Sequence, residues 1–266
     1  MNSKIPKISI IIACYNHADF LEKVFHSLLN QTYRDFEVII ADDGSDSEII
    51  ELVHNFSNRF YYPIQHVWHE NEGFRKTIIV NKAIRTSRSD YLIFIDGDCI
   101  LHHKFISRHY KRRKKGTVLS GRRIMLNEVS TESITVEDIK SLTFEKSSKW
   151  WKHYKFKEWK RGLYLPFIFH FLNLSGKNYW AFGSNFSLYK SDLLNVNGYD
   201  ENIIGRGLED INLTQRFKLK GYRIKRLTYE ALQYHLFHTS NPIPHSKKDE
   251  EKISNPKYFY ASKGIN

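Results

Sequence analysis

Three short stretches carry side chains able to do chemistry. Asp96-Gly97-Asp98 follows directly on an apolar run, Tyr91 to Ile95 (YLIFI). If extended backbone continues through it, residues two apart point the same way and both carboxylates can face one ligand, while Gly97 leaves room for close approach. Hard carboxylate oxygens suit Mg²⁺ or Mn²⁺, ions that commonly bridge a protein acid to substrate phosphates. Asp-Gly is equally a common turn signal. Glu209-Asp210, with Arg216 six residues after Asp210, stands at a helix start. Acids there also have an ordinary use, satisfying free amides and the helix dipole. His235-Leu236-Phe237-His238 is the third stretch. In an extended segment two histidines three apart face opposite sides, so one can reach a metal while the other does something else.

These residues need elements to position them. Lys7 to Ala13 (KISIIIA) and Phe36 to Ala41 (FEVIIA) are short, β-branched and apolar, the pattern of strands buried on both faces. Ile64 to Trp68 and Tyr91 to Ile95 read as two further strands. Between them, Leu21, Val24, Phe25, Leu28 and Leu29 recur at helical spacing, Ser45 with Glu48 forms a capping-box pattern, and Gly73 to Arg88 reads as a helix. Strands alternating with helices predict an α/β fold with a parallel, doubly wound sheet, in which ligands bind beyond the carboxyl ends of the strands. Those ends carry Tyr15 and Asn16, Asp42 to Gly44, and Asp96 to Asp98. No GxGxxG follows the first strand and no GxxxxGK[ST] occurs, so neither a Rossmann dinucleotide site nor a P-loop is indicated. Later in the chain come a strand in Tyr179 to Tyr189, a helix over Glu209 to Lys220, and short strands near Arg223 to Leu227 and Ala231 to Phe237. The tail beyond His238 is polar, contains Pro242 and Pro244, and is expected to be poorly ordered.

Charge is distributed unevenly. The 266 residues include 41 Lys and Arg against 29 Asp and Glu, a net charge of +12. Seven cations and no acid lie between His102 and Gly116, and a net +5 lies between Glu145 and Arg161, so the rest of the chain is neutral. The second segment interleaves Trp150, Trp151, Tyr154, Phe156 and Trp159 with lysines, a composition suited to a membrane interface or to stacked bases, or to a core with lysines outside. The apolar stretch Leu163 to Leu174 is too short to span a bilayer, and the amino terminus runs straight into a strand instead of forming a signal peptide. The expectation is a cytoplasmic protein with two free thiols, Cys14 and Cys99, and no zinc spacing.

Taken in order, these motifs resemble a known family. YN at Tyr15-Asn16, DDGS at Asp42 to Ser45, GFRK at Gly73 to Lys76, Asn81 and DGD at Asp96 to Asp98 resemble the family 2 inverting glycosyltransferases of the GT-A fold. GSN at Gly183 to Asn185, NGYDE at Asn197 to Glu201, the G-x-E-D-x-x-L-x-x-R pattern from Gly207 to Arg216 and the His235 motif resemble the galactosyltransferase-type carboxy-terminal region of the same superfamily.

The resemblance implies a Rossmann-like nucleotide-diphospho-sugar transferase domain over residues 1–238, its mostly parallel central sheet covered by helices on both faces. Residues 7–101 form the donor half, 121–178 a basic and aromatic insertion, and 179–238 the acceptor and catalytic-base half, with 239–266 as a tail. It implies that Tyr15 lies against the nucleotide base, that Asp43 bonds uracil, and that Arg75, Lys76 and Asn81 contact nucleotide or diphosphate. Asp96 would hold the ribose or assist a metal bound by Asp98 and His235, the latter matching the family's metal histidine better than His238. Asp210 matches the general base, with Glu209 on the donor or acceptor sugar. The implied cofactor is Mn²⁺ or Mg²⁺. The implied partners are a UDP-sugar, a glycan or lipid-linked acceptor, and a membrane surface met by segment 145–174 at the inner face of the cell membrane. Nucleic acid is not an expected partner. The competing readings are a transferase with another nucleotide donor or without a tightly bound metal, and a non-enzymatic basic module binding nucleic acid or membrane.

Overall fold

A computed structural model describes residues 5–146, 164–166, 181, 183–239 and 246–266. The aromatic run from Trp150 to Trp159 and most of Leu163 to Leu174 lie outside the described residues. Strands β1 (Ile8–Cys14), β2 (Phe36–Asp42), β3 (Ile64–Trp68) and β4 (Tyr91–Asp96) alternate with helices α1 (Ala18–Leu29), α2 (Ser47–Ser57) and α3 (Lys76–Thr86). There follow β5 (Cys99–Leu101), α4 (Phe105–Arg112), β6 (Thr117–Ser120), β7 (Arg122–Met125) and three short helices, α5 (Glu128–Ser133), α6 (Val136–Lys140) and α7 (Thr143–Lys146). The second half contains β8 (Asn185–Tyr189), α8 (Lys190–Leu194), α9 (Glu209–Leu219), β9 (Arg223–Arg226), β10 (Leu232–His235) and α10 (Lys247–Ser254).

The main sheet has the order β3-β2-β1-β4-β8-β6-β9, with only β8 antiparallel to its neighbours. Alternation along each strand divides its apolar residues between two layers, as a pleated strand requires. Ile8, Ile10 and Ile12 join Val38, Ile40, Ile93 and Ile95 against α1, α2 and α4, whereas Ile11, Ile39, Leu92 and Phe94 face α3, α8 and α9. The expected α/β arrangement, mostly parallel with helices on both faces, is therefore present. A smaller sheet, β5-β10-β7, packs Ile100, Ile124, Leu232 and Tyr234 against α6, α7 and Phe20 of α1.

Register sets the site. Cys14 lies opposite Asp42 and Ala13 opposite Asp96, so β1, β2 and β4 end together at one edge. Because β8 runs antiparallel to β4, with Asn185 opposite Ile95, the chain entering β8 reaches the same edge.

Three local expectations need correction. Ser45 does not cap α2: its hydroxyl donates to Asp42 and accepts the Asn16 N–H, and the helix begins after Asp46. Helix α3 spans Lys76–Thr86, shorter than Gly73 to Arg88, because Gly73 takes a positive φ of 83° and the Arg75 N–H bonds Asp43 instead of a preceding turn. The tail is not loose over residues 246–266. Ala261 and Ile265 are buried, and Arg85 donates to the carbonyls of Gly264 and Ile265.

Candidate active site

The shared strand ends and the start of α9 enclose a cavity of about 640 Å³, lined among others by Tyr15, Asp43, Lys76, Asp96, Asp98, Glu209 and Asp210. Tyr15 is half exposed, its hydroxyl accepting from Asn71 Nδ2 at 2.9 Å. The two acids at the end of β2 divide their work. Asp42 is wholly buried and binds His66 and Ser45, whereas Asp43 faces the cavity. One oxygen of Asp43 meets His69 Nε2 at 2.7 Å and the other accepts the Arg75 N–H at 2.9 Å. Burial pushes the Asp43 carboxyl up, partly offset by those two bonds. The Arg75 guanidinium turns away to Glu72 and the Glu70 carbonyl, so Arg75 offers the site its amide and not its charge.

Asn81 is also outside the cavity wall. It is fully buried, its Oδ1 accepting the Tyr199 N–H at 3.0 Å and its Nδ2 donating to the Tyr199 carbonyl at 2.9 Å and to Glu201. It fastens the 199–201 loop to α3.

At the other end β4 stops at Asp96, and Gly97-Asp98 turns back into β5. Gly97 donates to the Ala13 carbonyl at 2.8 Å, and a Cβ on it would lie 2.9 Å from that of Cys14, so the close approach this glycine permits is to β1. Asp98 Oδ2 lies 3.0 Å from His238 Nε2 and 3.3 Å from His235 Nε2. The two histidines do not face opposite sides, because β10 ends at His235 and the chain beyond it bends back over Asp98. This trio fits a divalent cation. His238 Nδ1 meets the Thr239 carbonyl at 3.2 Å and Nε2 meets Asp98 Oδ2 at 3.0 Å: with the proton on Nδ1 the Nε2 lone pair can join the carboxylate oxygen on a cation, and the imidazolium satisfies both acceptors without one. His235 Nδ1 is buried without a partner among the described residues.

Between these ends lies a partly buried charge cluster. Lys76 Nζ donates to Asp96 Oδ1 at 2.8 Å. Burial opposes its charge, but Asp96, Asp210 and Glu209 together override this and hold the ammonium well above its usual pKa. Asp210 accepts the Gly183 N–H at 2.8 Å on Oδ2 and the Tyr199 hydroxyl at 3.2 Å on Oδ1. Burial pushes its carboxyl up to about 6, with Lys76 pulling down and Glu209 and Asp96 adding to the rise. A carboxylate that titrates near neutrality inside a cleft can take a proton from a hydroxyl at working pH. Glu209 lines the same wall and accepts the Gly207 N–H at 2.7 Å.

The pattern of glycosyl transferase family 2 matches residues 9–177, and that of the N-terminal domain of galactosyltransferase matches 170–240. The chain belongs to glycosyl transferase family 2. Among relatives, the validoxylamine A glucosyltransferase of Streptomyces hygroscopicus subsp. jinggangensis is 24% identical over 82% of this chain and 53% of its own length. The chondroitin synthase of Escherichia coli is 26% identical over 87% of this chain and 35% of its own. This family 2 chain thus spans about half or less of the length of those two curated relatives. A solved mannosyltransferase from Pyrobaculum calidifontis, in complex with GDP-Man and Mn²⁺, superposes with a TM-score of 0.60 at 13% identity, over 90% of this chain and 59% of that one. S. aureus TarS superposes at 0.54 with 17% identity, over 87% of this chain and 37% of that one. The GT-A fold of these glycosyltransferases is the fold of this one.

A second His/Glu group in this family 2 glycosyltransferase, His102, His103 and Glu145, has a different character. Glu145 accepts the His103 N–H at 2.6 Å, the His103 ring N–H, and His102 Nε2 at 3.3 Å, while His102 Nδ1 accepts the Lys104 N–H. Every donor has an acceptor with both rings neutral, so no cation is called for. Several residues around the cavity carry no signal in the sequence. His69, the partner of Asp43, is an isolated histidine after β3, and Arg123 enters the wall from β7 inside the expected insertion. Among the described residues no helix is long and apolar enough to cross a membrane.

Proposed function

We propose that this glycosyltransferase moves a sugar from a UDP-sugar to a hydroxyl of a glycan or lipid-linked acceptor, with inversion, in assembly of a bacterial surface polysaccharide. The observation that carries the reading is Asp210, a partly buried carboxylate held by two donors, its pKa pushed up to about 6, sharing one cavity with Asp96 and Asp98. Uracil would meet Asp43 and Tyr15, with His69 fixing the Asp43 carboxylate. The acceptor oxygen attacks the anomeric carbon as its proton passes to Asp210, and the bond from that carbon to the diphosphate oxygen breaks to release UDP. Asp98, His235 and His238 would hold Mn²⁺ or Mg²⁺, which supplies positive charge for the departing diphosphate. Lys76 adds a fixed positive charge at the same wall, and Glu209 faces donor or acceptor sugar. The basic segment 145–174 would meet an anionic membrane surface at the inner face of the cell membrane, bringing a lipid-linked acceptor to the cavity.

General-base assistance contributes about 10² to 10⁴ in rate. Asp210→Asn should therefore keep UDP affinity in calorimetry and lose most transfer to acceptor in a screen of UDP-sugars. Wild-type turnover in that variant removes Asp210 from the base role, and UDP affinity indifferent to Mn²⁺ in the wild type removes the metal from the donor site.

A further inference from the structure

Asp210 is the second residue of α9, yet neither of its recorded donors belongs to that helix. One oxygen is held by the backbone entering β8, through Gly183, and the other by Tyr199, from the loop between α8 and α9. We propose that Tyr199 is a positioning residue for the transfer reaction, fixing the rotation of the Asp210 carboxylate so that its free lone pairs face the acceptor hydroxyl. The proposal rests on Asp210 being the base.

The carboxylate has about four acceptor sites, and the two donors take one on each oxygen. One donor would leave the group free to swing about its terminal torsion, which is broad and soft. Two donors from separate elements define its plane. Tyr199 is suited to this by its own fixation. Its side chain is 1% exposed, so the ring cannot move aside. Its N–H and carbonyl are both bonded to Asn81. The preceding backbone is clamped by the buried Arg216, which donates to the Val196 and Gly198 carbonyls at 2.6 Å each. From outside, the Ile265 N–H bonds the Asn197 carbonyl and Asn197 Nδ2 bonds the Ala261 carbonyl. Gly198, at φ 66°, lies so close that a Cβ there would fall 2.5 Å from the Ile265 side chain. The phenol thus stands on a loop held by α3, α9 and the carboxy-terminal segment.

The hydroxyl acts only as a donor. Burial first, then the charges of Asp210, Glu209 and Asp96, push its pKa well above the usual tyrosine value, so it keeps its proton throughout any assay range. A bond donated to a carboxylate favours the ionised form. The groups acting on Asp210 are Lys76 from α3, Asp96 from β4, Glu209 beside it, the Gly183 amide and Tyr199.

The test is Tyr199→Phe, which removes one oxygen and keeps the buried ring. Transfer rates are measured against pH at saturating donor and acceptor, with Asp210→Asn in parallel. The expected result is a fall in kcat of about tenfold at pH 7.5, from looser alignment of the base. Donor KM should stay unchanged, and the acid limb of the profile should move up by about one pH unit, since a bond to a charged group is worth about that much. A purely structural loss would lower active enzyme without moving the limb. An acid limb coincident with wild type, or a change confined to KM, overturns the role of Tyr199. If Asp210→Asn keeps full turnover, the base assignment falls and Tyr199 with it. If Asp210→Asn is inactive while the Tyr199→Phe limb is unmoved, only the Tyr199 role falls.

Discussion

Lys76→Met tests the electrostatics of the site most directly. In the wild type Lys76 is the cation paired with Asp96 at 2.8 Å, and it is the chief influence lowering the Asp210 pKa against burial, Glu209 and Asp96. Its own pKa is raised far enough that it acts as a constant positive charge across any assay range. As the proposed base Asp210 would work in its ionised form, so wild-type transfer should be present above pH 6 and decline as pH falls through about 6. Loss of an adjacent opposite charge moves a carboxylate by about one to three units, upward in this case. A shift of two units would place Asp210 near 8, and its ionised fraction at pH 7 would drop from about nine-tenths to about one-tenth. The expected outcome is a loss of about tenfold in kcat at pH 7 that is recovered near pH 9. The assay is transfer at saturating donor over pH 5.5 to 9.5, roughly the range in which such a limb is visible. An acid limb that stays near 6, or a deficit equal at every pH and confined to donor KM, would refute the Coulombic argument and leave Lys76 as a diphosphate contact only.

Two further outcomes follow from the geometry. In UDP calorimetry with and without Mn²⁺, Asp98→Ala and His238→Ala should each abolish the metal-dependent gain in affinity, whereas Glu145→Gln, from the closed hydrogen-bond group, should leave it at the wild-type value. Gly183→Ala would place a Cβ 2.3 Å from Asp210 Oδ1. The carboxylate must turn out of its two bonds, and kcat should fall by about 10²-fold, the scale of a misplaced catalytic group, with donor affinity retained.

The main sheet was legible because buried parallel strands leave a plain mark. Ile8 to Ile12, Val38 to Ala41 and Leu92 to Ile95 are apolar on both faces, and the two core layers of the structure divide those residues by strict alternation. The short helices α5 to α7 and strand β7 were not legible, since four to six residues give too little periodicity to separate one face from another. The tail was misjudged for a related reason. Its polar composition suggests disorder, but Ala261, Gly264 and Ile265 are buried, and Arg85 and Asn212 bond its backbone carbonyls, contacts that composition does not record.

The acids of the site show why motif and role separate. Glu209 and Asp210 are neighbours at one helix start, and the ordinary reading of such a pair is that it serves local amides. That reading holds for Glu209, whose carboxylate bonds the Gly207 N–H two residues back. It fails for Asp210, whose donors are 27 and 11 residues away in the chain. Asp42 bonds both Ser45 and His66 and is wholly buried, while its neighbour Asp43 reaches His69, 26 residues on, and lines the cavity. Asp43 and Asp210, both held by partners from other elements, are presented to the cavity with raised pKa values. Such partners hold a carboxylate out over the strand ends, where burial can tune it. Sequence spacing contains local partners and not these, so it could name the acidic pairs but not divide the labour within them.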